Sequence, residues 1–308
     1  MNYNINTIIH KINNKNIIKF KKLTNITHDY ILNTKKIHKE NIYNTNFVNS
    51  NTYKDTLKYL NNYKIFKISI NKSDIYVYIF HHDDYNYYEL IKKIYKYLQL
   101  FYKTFEDFIV KSNKNILKLY IYTLPYKNVF NKHILNTNDI NSGYTQFKPE
   151  DKVKIVIYKL HKLTKVLIHE LIHFFNIDTN ILPVKLYNDI DNFIQNNIKT
   201  NYPILTFEGI TEFLAIYLNT IYKNKGLNIN QIKIKLEEQI NIYTKYMNII
   251  LKNQNINDIN NIFTGKVIFK QNTNVFSYYI LATLLFKNYD KIFKSNRDIL
   301  YINKNLFK

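Results

Sequence analysis

Apolar and polar positions alternate through YKIFKISINKSDIYVYIF (63–80) on both sides of NKSD, which predicts a β-hairpin. The period then changes. YYELIKKIYKYLQLFYKTFEDFI (87–109) carries apolar residues three and four apart, the spacing of an amphipathic helix. ILKLYIYTL (116–124) predicts a strand that Pro125 helps to stop, and KVKIVIYKL (152–160) predicts another. Between them lies a segment with Gly143 and Pro149, expected to be a loop. From Leu163 the pattern is helical: 163–176, then about 185–197, 206–222, 229–252 and 275–293. No internal repeat and no Gly/Ser linker interrupts it.

A sheet with one helix followed by a helical half predicts an α+β protein with a mixed, mostly antiparallel sheet. Residues 1–55 are polar and rich in Asn and Lys, an N-terminal extension or small helical cap. The expected main domain is 56–308, with a sheet half (56–160) and a helical half (161–308).

Composition changes this picture little. The chain has 308 residues, of which 46% are hydrophobic, enough for a sizeable core rather than a disordered chain. Its net charge of +21 suggests nucleic acid at first sight. However, Arg297 is the only arginine, the lysines are spread along the whole chain, and Ala, Gly, Pro, Cys and Trp are rare or absent. That is the vocabulary of an AT-rich genome, with a large DNA virus among the candidate sources. Base readers use Arg for bidentate contacts, so there is no strong nucleic-acid signal. The absence of cysteine excludes disulfides and thiolate ligands and fits a reducing compartment. The N-terminus shows no apolar signal-peptide core, and the longest apolar run, VFSYYILATLLF, is too short to span a bilayer. A soluble, intracellular (cytoplasmic) protein is expected; its oligomeric state is not encoded in these features.

The chemistry lies in KVLIHELIHFFNID (165–178). On a helix His169 and His173, four apart, share one face, spaced to hold one zinc ion. Glu170 is placed to act as a base on water there. Random placement of these residue types would produce such a motif on the order of 1% of the time. No histidine follows His173, so a third ligand must be a carboxylate. YPILTFEGITEFLAIYL (202–218) offers Glu208, with Glu212 one turn on to hold a ligating imidazole; Asp178, Asp189 and Asp191 come next. Gly209 and Ala215, small residues in a chain that rarely uses them, would let this helix pack closely. FHHDDY (80–85) is a weaker cluster, because His81 and His82 would point to opposite faces of a strand. His161 is expected to be structural, and Arg297 to form a surface ion pair.

HELIH followed by FEGITEF resembles the gluzincins, zinc metallopeptidases with H-E-x-x-H on one helix and a Glu ligand on a later one. The resemblance extends over the order of elements from about 60 to 295. PILTFEGITEFLA is similar to the family's W-L-N-E-G-x-A-x-Y stretch, with Phe207 in place of Asn and no Trp. It implies a thermolysin-like fold whose helical half carries the zinc site, with His169, His173 and Glu208 as metal ligands, Glu212 in support and Glu170 as general base. It also implies an oxyanion donor from a downstream helix, Tyr278 or Tyr279, a peptide or protein substrate, and KVKIVIY as the edge strand beside the cleft. HELIH also matches the clostridial neurotoxin light chains, but their Arg-x-x-Tyr pair is missing, as is the G-x-M-E-N motif of the aminopeptidase branch. Two other readings compete: a metallopeptidase-like protein that binds without turnover, and a basic nucleic-acid-binding protein with a chance HExxH.

Overall fold

In a computed structural model, residues 4–13, 24–25, 34–43, 54, 56, 60, 62–70, 73–82, 85–112, 114–124, 127–130, 132–147 and 153–294 are described. The chain is α+β with a mixed sheet. After α1 (Ile5–Asn13) come β1 (Thr24–Asn25) and α2 (Thr34–His38), which continues as a π-helical turn over Lys39–Tyr43. The predicted hairpin is β2 (Asn62–Ile70) and β3 (Ser73–His81). Then follow α3 (Tyr87–Thr104), α4 (Glu106–Ser112), β4 (Ile116–Tyr122), α5 (Thr137–Ile140), β5 (Gly143–Gln146) and β6 (Lys154–Ile157). The HELIH segment is α6 (Leu163–Phe174). Beyond it lie α7 (Asp178–Ile181), α8 (Val184–Asn197), β7 (Lys199–Thr200), α9 (Thr206–Lys223), α10 (Ile229–Asn253), α11 (Asn260–Phe263) and β8 (Ile268–Phe269). A π-helical segment, Phe276–Leu281, runs into α12 (Ala282–Lys287), and α13 (Tyr289–Lys294) follows.

Two compact units result. One contains residues 12–128 and 141–175, and the other 1–11, 129–140 and 176–308. The first is built on a six-stranded sheet in the order β1-β2-β3-β4-β6-β5. Strands β3, β4 and β6 run parallel, and β1, β2 and β5 pair antiparallel at the two sides. Two expectations need correcting here. Gly143 opens a strand, not a loop, and KVKIVIY is not an edge strand, because β6 is bonded to β4 on one side and β5 on the other. β5 was missed because four residues are too few to show an alternating period.

Register divides this sheet into two chemically different faces. Ile75 pairs with Leu117, Val77 with Leu119 and Ile79 with Ile121, and the last two of these rows continue into Ile155 and Ile157. These aliphatic residues are fully or almost fully buried. The alternate positions are aromatic: Tyr78 stacks on Tyr120 at 4.6 Å and Phe80 on Tyr122 at 4.7 Å. Part of this second face is covered by Ile42 and Leu60, in a cluster with Phe80, Tyr122, Tyr144, Val156 and Tyr158. Buried tyrosines need partners for their hydroxyls. Asn41 donates to the Tyr122 hydroxyl at 3.1 Å, the Tyr144 hydroxyl donates to the Asn41 carbonyl at 2.7 Å, and Lys154 donates to Asn41 Oδ1 at 2.5 Å. Within residues 1–55, then, the segment 36–42 is part of the sheet's packing.

The second unit is mainly helical, with one two-stranded parallel pair, β7 and β8, that the sequence pattern did not reveal. Its helices α8, α9 and α10 fall within one residue of the expected bounds. The span expected as one helix over 275–293 is instead three pieces, starting with the π-helical one. Among the described residues no helix is long and apolar enough to cross a membrane. Arg297 and the central DD of FHHDDY lie outside the described residues, while His81 closes β3.

His38 provides a test of the packing over the aromatic face. It is 2% exposed, with its ring edge-on to Phe80 and Tyr122. Burial lowers its pKa to about 4, although a backbone hydrogen bond at Leu60 opposes this. Between the ordinary value of 6.5 and about 4, the unfolded chain binds a proton that the folded chain refuses. Stability contributed by neutral His38 is therefore present above pH 6.5 and lost as the pH falls through that window. Urea unfolding at pH 7 and pH 5 should show a loss about 2 kcal/mol larger in the wild type than in His38→Gln.

Candidate metal centre

Every residue of α6 except Lys165 is buried. The helix begins after Lys162, which takes a left-handed conformation (φ 59), and is followed by Asn176 in the same region (φ 52). Asn tolerates that backbone better than most residues, so it suits a helix C-terminus. The apolar positions of α6 account for its burial. The polar ones, His169, Glu170 and His173, are buried with them and need partners.

His169 and His173 meet as the i, i+4 spacing predicts. Their rings lie 4.8 Å apart at 76°, and the two Nε2 atoms face each other at 3.2 Å. Glu170 is 4% exposed and its side chain runs to β5. There the Thr145 hydroxyl lies 2.8 Å from Oε2 and 3.0 Å from the Glu170 carbonyl oxygen. Gly143, two residues earlier on the same strand, makes the approach possible. A Cβ at that position would stand 2.9 Å from Val166 Cγ1, 2.9 Å from the Val156 carbonyl oxygen and 3.3 Å from Glu170 Oε1. Nearby, burial and then the charge of Glu170 hold the Tyr158 phenol well above its ordinary pKa.

Glu208 occupies the first turn of α9, where the helix dipole favours a carboxylate. One ligand atom each from His169, His173 and Glu208 lies within 4.8 Å of the others, the only such group of three among the described residues. Two of the alternative carboxylates have other work. Asp178 accepts from the Thr211 hydroxyl at 3.1 Å, and Asp191 from the Thr206 hydroxyl at 2.6 Å.

Glu212, 2% exposed, accepts from the Tyr243 hydroxyl at 3.3 Å. Burial, followed by the charge of Glu212, pushes the Tyr243 phenol well above its ordinary pKa. Tyr279 is buried among the rings of Phe130, Tyr243 and Tyr246. Tyr278, its neighbour on the π-helical segment, is only half-buried. Sequence reasoning did not reach Thr145 or Tyr243. The rarity of glycine in this chain was a usable sign at Gly143, two positions before Thr145.

Compared with known proteins, the chain matches no family model, no curated protein and no solved structure.

Gly209 permits a close approach, and its neighbour is Leu281 of the π-helical segment. A Cβ there would meet Leu281 Cδ2 at 2.5 Å, Cγ at 2.8 Å and Cβ at 3.1 Å. Leu281 is fully buried, and close-packed interiors leave few voids for a displaced side chain. Overpacking costs about 1–3 kcal/mol, against about 1 kcal/mol gained by replacing a helical glycine with alanine. Gly209→Ala should therefore lower unfolding stability by up to about 2 kcal/mol, read from its urea midpoint. A gain in stability would mean that Leu281 repacks without cost.

Proposed function

We propose that this protein is a zinc-dependent metallopeptidase of the gluzincin type, with a thermolysin-like arrangement of its elements. The observation that carries the proposal is the His169, His173 and Glu208 group. Two imidazole nitrogens at 3.2 Å could simply share a proton. That spacing is also close to the ~3.3 Å expected between two ligands of one tetrahedral zinc with ~2.05 Å bonds. A carboxylate oxygen within 4.8 Å favours the metal, because it completes the two-imidazole, one-carboxylate set of a catalytic zinc. Zinc, when bound, supplies a Lewis acid that polarises a carbonyl and acidifies water.

The chain's own residues do the rest. His169, His173 and Glu208 would hold the ion. Glu170 takes a proton from the attacking water and delivers it to the leaving amine. Tyr278 donates a hydrogen bond to the oxyanion that develops on the scissile carbonyl. Tyr279 is the alternative donor, less suited because its ring is engaged in the aromatic cluster. Glu212, with Tyr243 behind it, orients a ligating imidazole. The substrate is a peptide or protein, which as an extended strand would add to β5, the last strand of the sheet among the described residues.

Metal-loaded protein should contain one zinc per chain, and a zinc-free result would remove the proposal. Glu170→Gln should keep that zinc and lose ~10²–10⁴-fold of the hydrolysis of a mixed peptide library. Zinc with no cleavage by the wild type would support a binding protein instead.

Glu208→Ala should empty the site. Glu212→Ala should retain zinc with affinity or activity ~10–100-fold lower. The opposite order would reverse the two roles. If neither change affected zinc, the third ligand would lie elsewhere.

A further inference from the structure

We infer that Thr145, on β5, is a positioning residue for Glu170. Its catalytic consequence rests on the peptidase reading above; the hold itself does not. Glu170 sits on a helix turn that is buried all round, and a buried carboxylate left to rotate would sample orientations useless for proton transfer. The Thr145 hydroxyl has one proton. Its closer acceptor is carboxylate Oε2 at 2.8 Å, with the Glu170 carbonyl oxygen at 3.0 Å. A hydrogen bond to a charged acceptor is the stronger of the two, so the proton goes to the carboxylate.

The strand is built to present this hydroxyl. Thr145 pairs with Ile155 and Gly143 with Ile157, so both positions are fixed by the ladder of β6. Gly143 and Thr145, two apart, share a face of the strand, the one turned toward α6. The missing side chain at Gly143 lets α6 come close enough for the bond at Thr145 to form. One position thus supplies the space and the next on that face supplies the donor.

A merely structural role would have Thr145 tie β5 to α6 through the Glu170 carbonyl alone. The two roles separate experimentally. Thr145→Val keeps the shape and removes the hydroxyl; Thr145→Ser keeps the hydroxyl. In the metal-free protein, the urea-midpoint shift caused by Thr145→Val should fall by at least half when Glu170 is already alanine, because the carboxylate partner is gone. In the zinc enzyme, Thr145→Val should reduce kcat on the order of ten- to hundredfold. KM should stay within about twofold and zinc content should not change, since neither substrate contacts nor ligands are removed. Thr145→Ser should recover most of the kcat. An undiminished midpoint shift in the Glu170→Ala background would overturn the inference. So would an unchanged kcat in Thr145→Val, or a Thr145→Ser variant as slow as Thr145→Val. A wild type that binds no zinc and cleaves nothing would defeat the peptidase reading, while the metal-free comparison would still decide whether Thr145 holds the carboxylate.

Discussion

An apolar helix that carries three polar side chains into a buried setting has to find partners for them, and the sheet unit is organised around that need. Leaving one buried polar group unpaired costs on the order of 1–3 kcal/mol, and more for a charge, a large share of a typical folding free energy. On α6 the histidines meet each other. Glu170 is met by Thr145. The short strand β5, added antiparallel beside β6, exists at the position where it can supply that hydroxyl, and Gly143 removes the side chain that would hold the helix away. A leucine in place of Glu170 would pack without any of this.

The opposite, aromatic face of the sheet obeys the same rule with different materials. The chain has 29 tyrosines, so its core brings hydroxyls with it. The Tyr122 and Tyr144 hydroxyls converge on Asn41, which also receives Lys154. Lys154 lies over the Tyr120 ring as well, so its charge is met on two sides. The segment 36–42 thereby covers the aromatic face with apolar Ile37 and Ile42 and satisfies its hydroxyls through Asn41.

In the helical unit the governing constraint is steric. Gly209 lets Leu281 reach the backbone of α9, immediately beyond Glu208. Leu281 ends a π-helical segment, and a wider turn of that kind shifts the side-chain register relative to a continuous α-helix. Adjacent helical residues point about 100° apart, which leaves Tyr278 half-buried and Tyr279 locked among three aromatic rings. One turn along α9 from Glu208, Glu212 is buried against Tyr243 and carries its own proton donor with it.

Elements with a long period were legible in the sequence. The hairpin 62–81, the helices α8, α9 and α10, and the i, i+4 histidine pair all follow from spacing, because a helix or hairpin of that length sums many weak local preferences. The need for a carboxylate after His173, together with the rare glycine beside it, points to Glu208. Other features could not be read locally. The strand β5 has four residues, and the pair β7 and β8 has two each; such strands exist only because a partner elsewhere in the chain bonds to them. The edge of the sheet is hidden from the sequence for the same reason, since strand order is a property of pairing. Nothing in a lone threonine marks it as the donor to a carboxylate 25 positions away. That role depends on register, on a missing Cβ at Gly143 and on burial that makes the bond necessary, and all three arise only when the chain has folded.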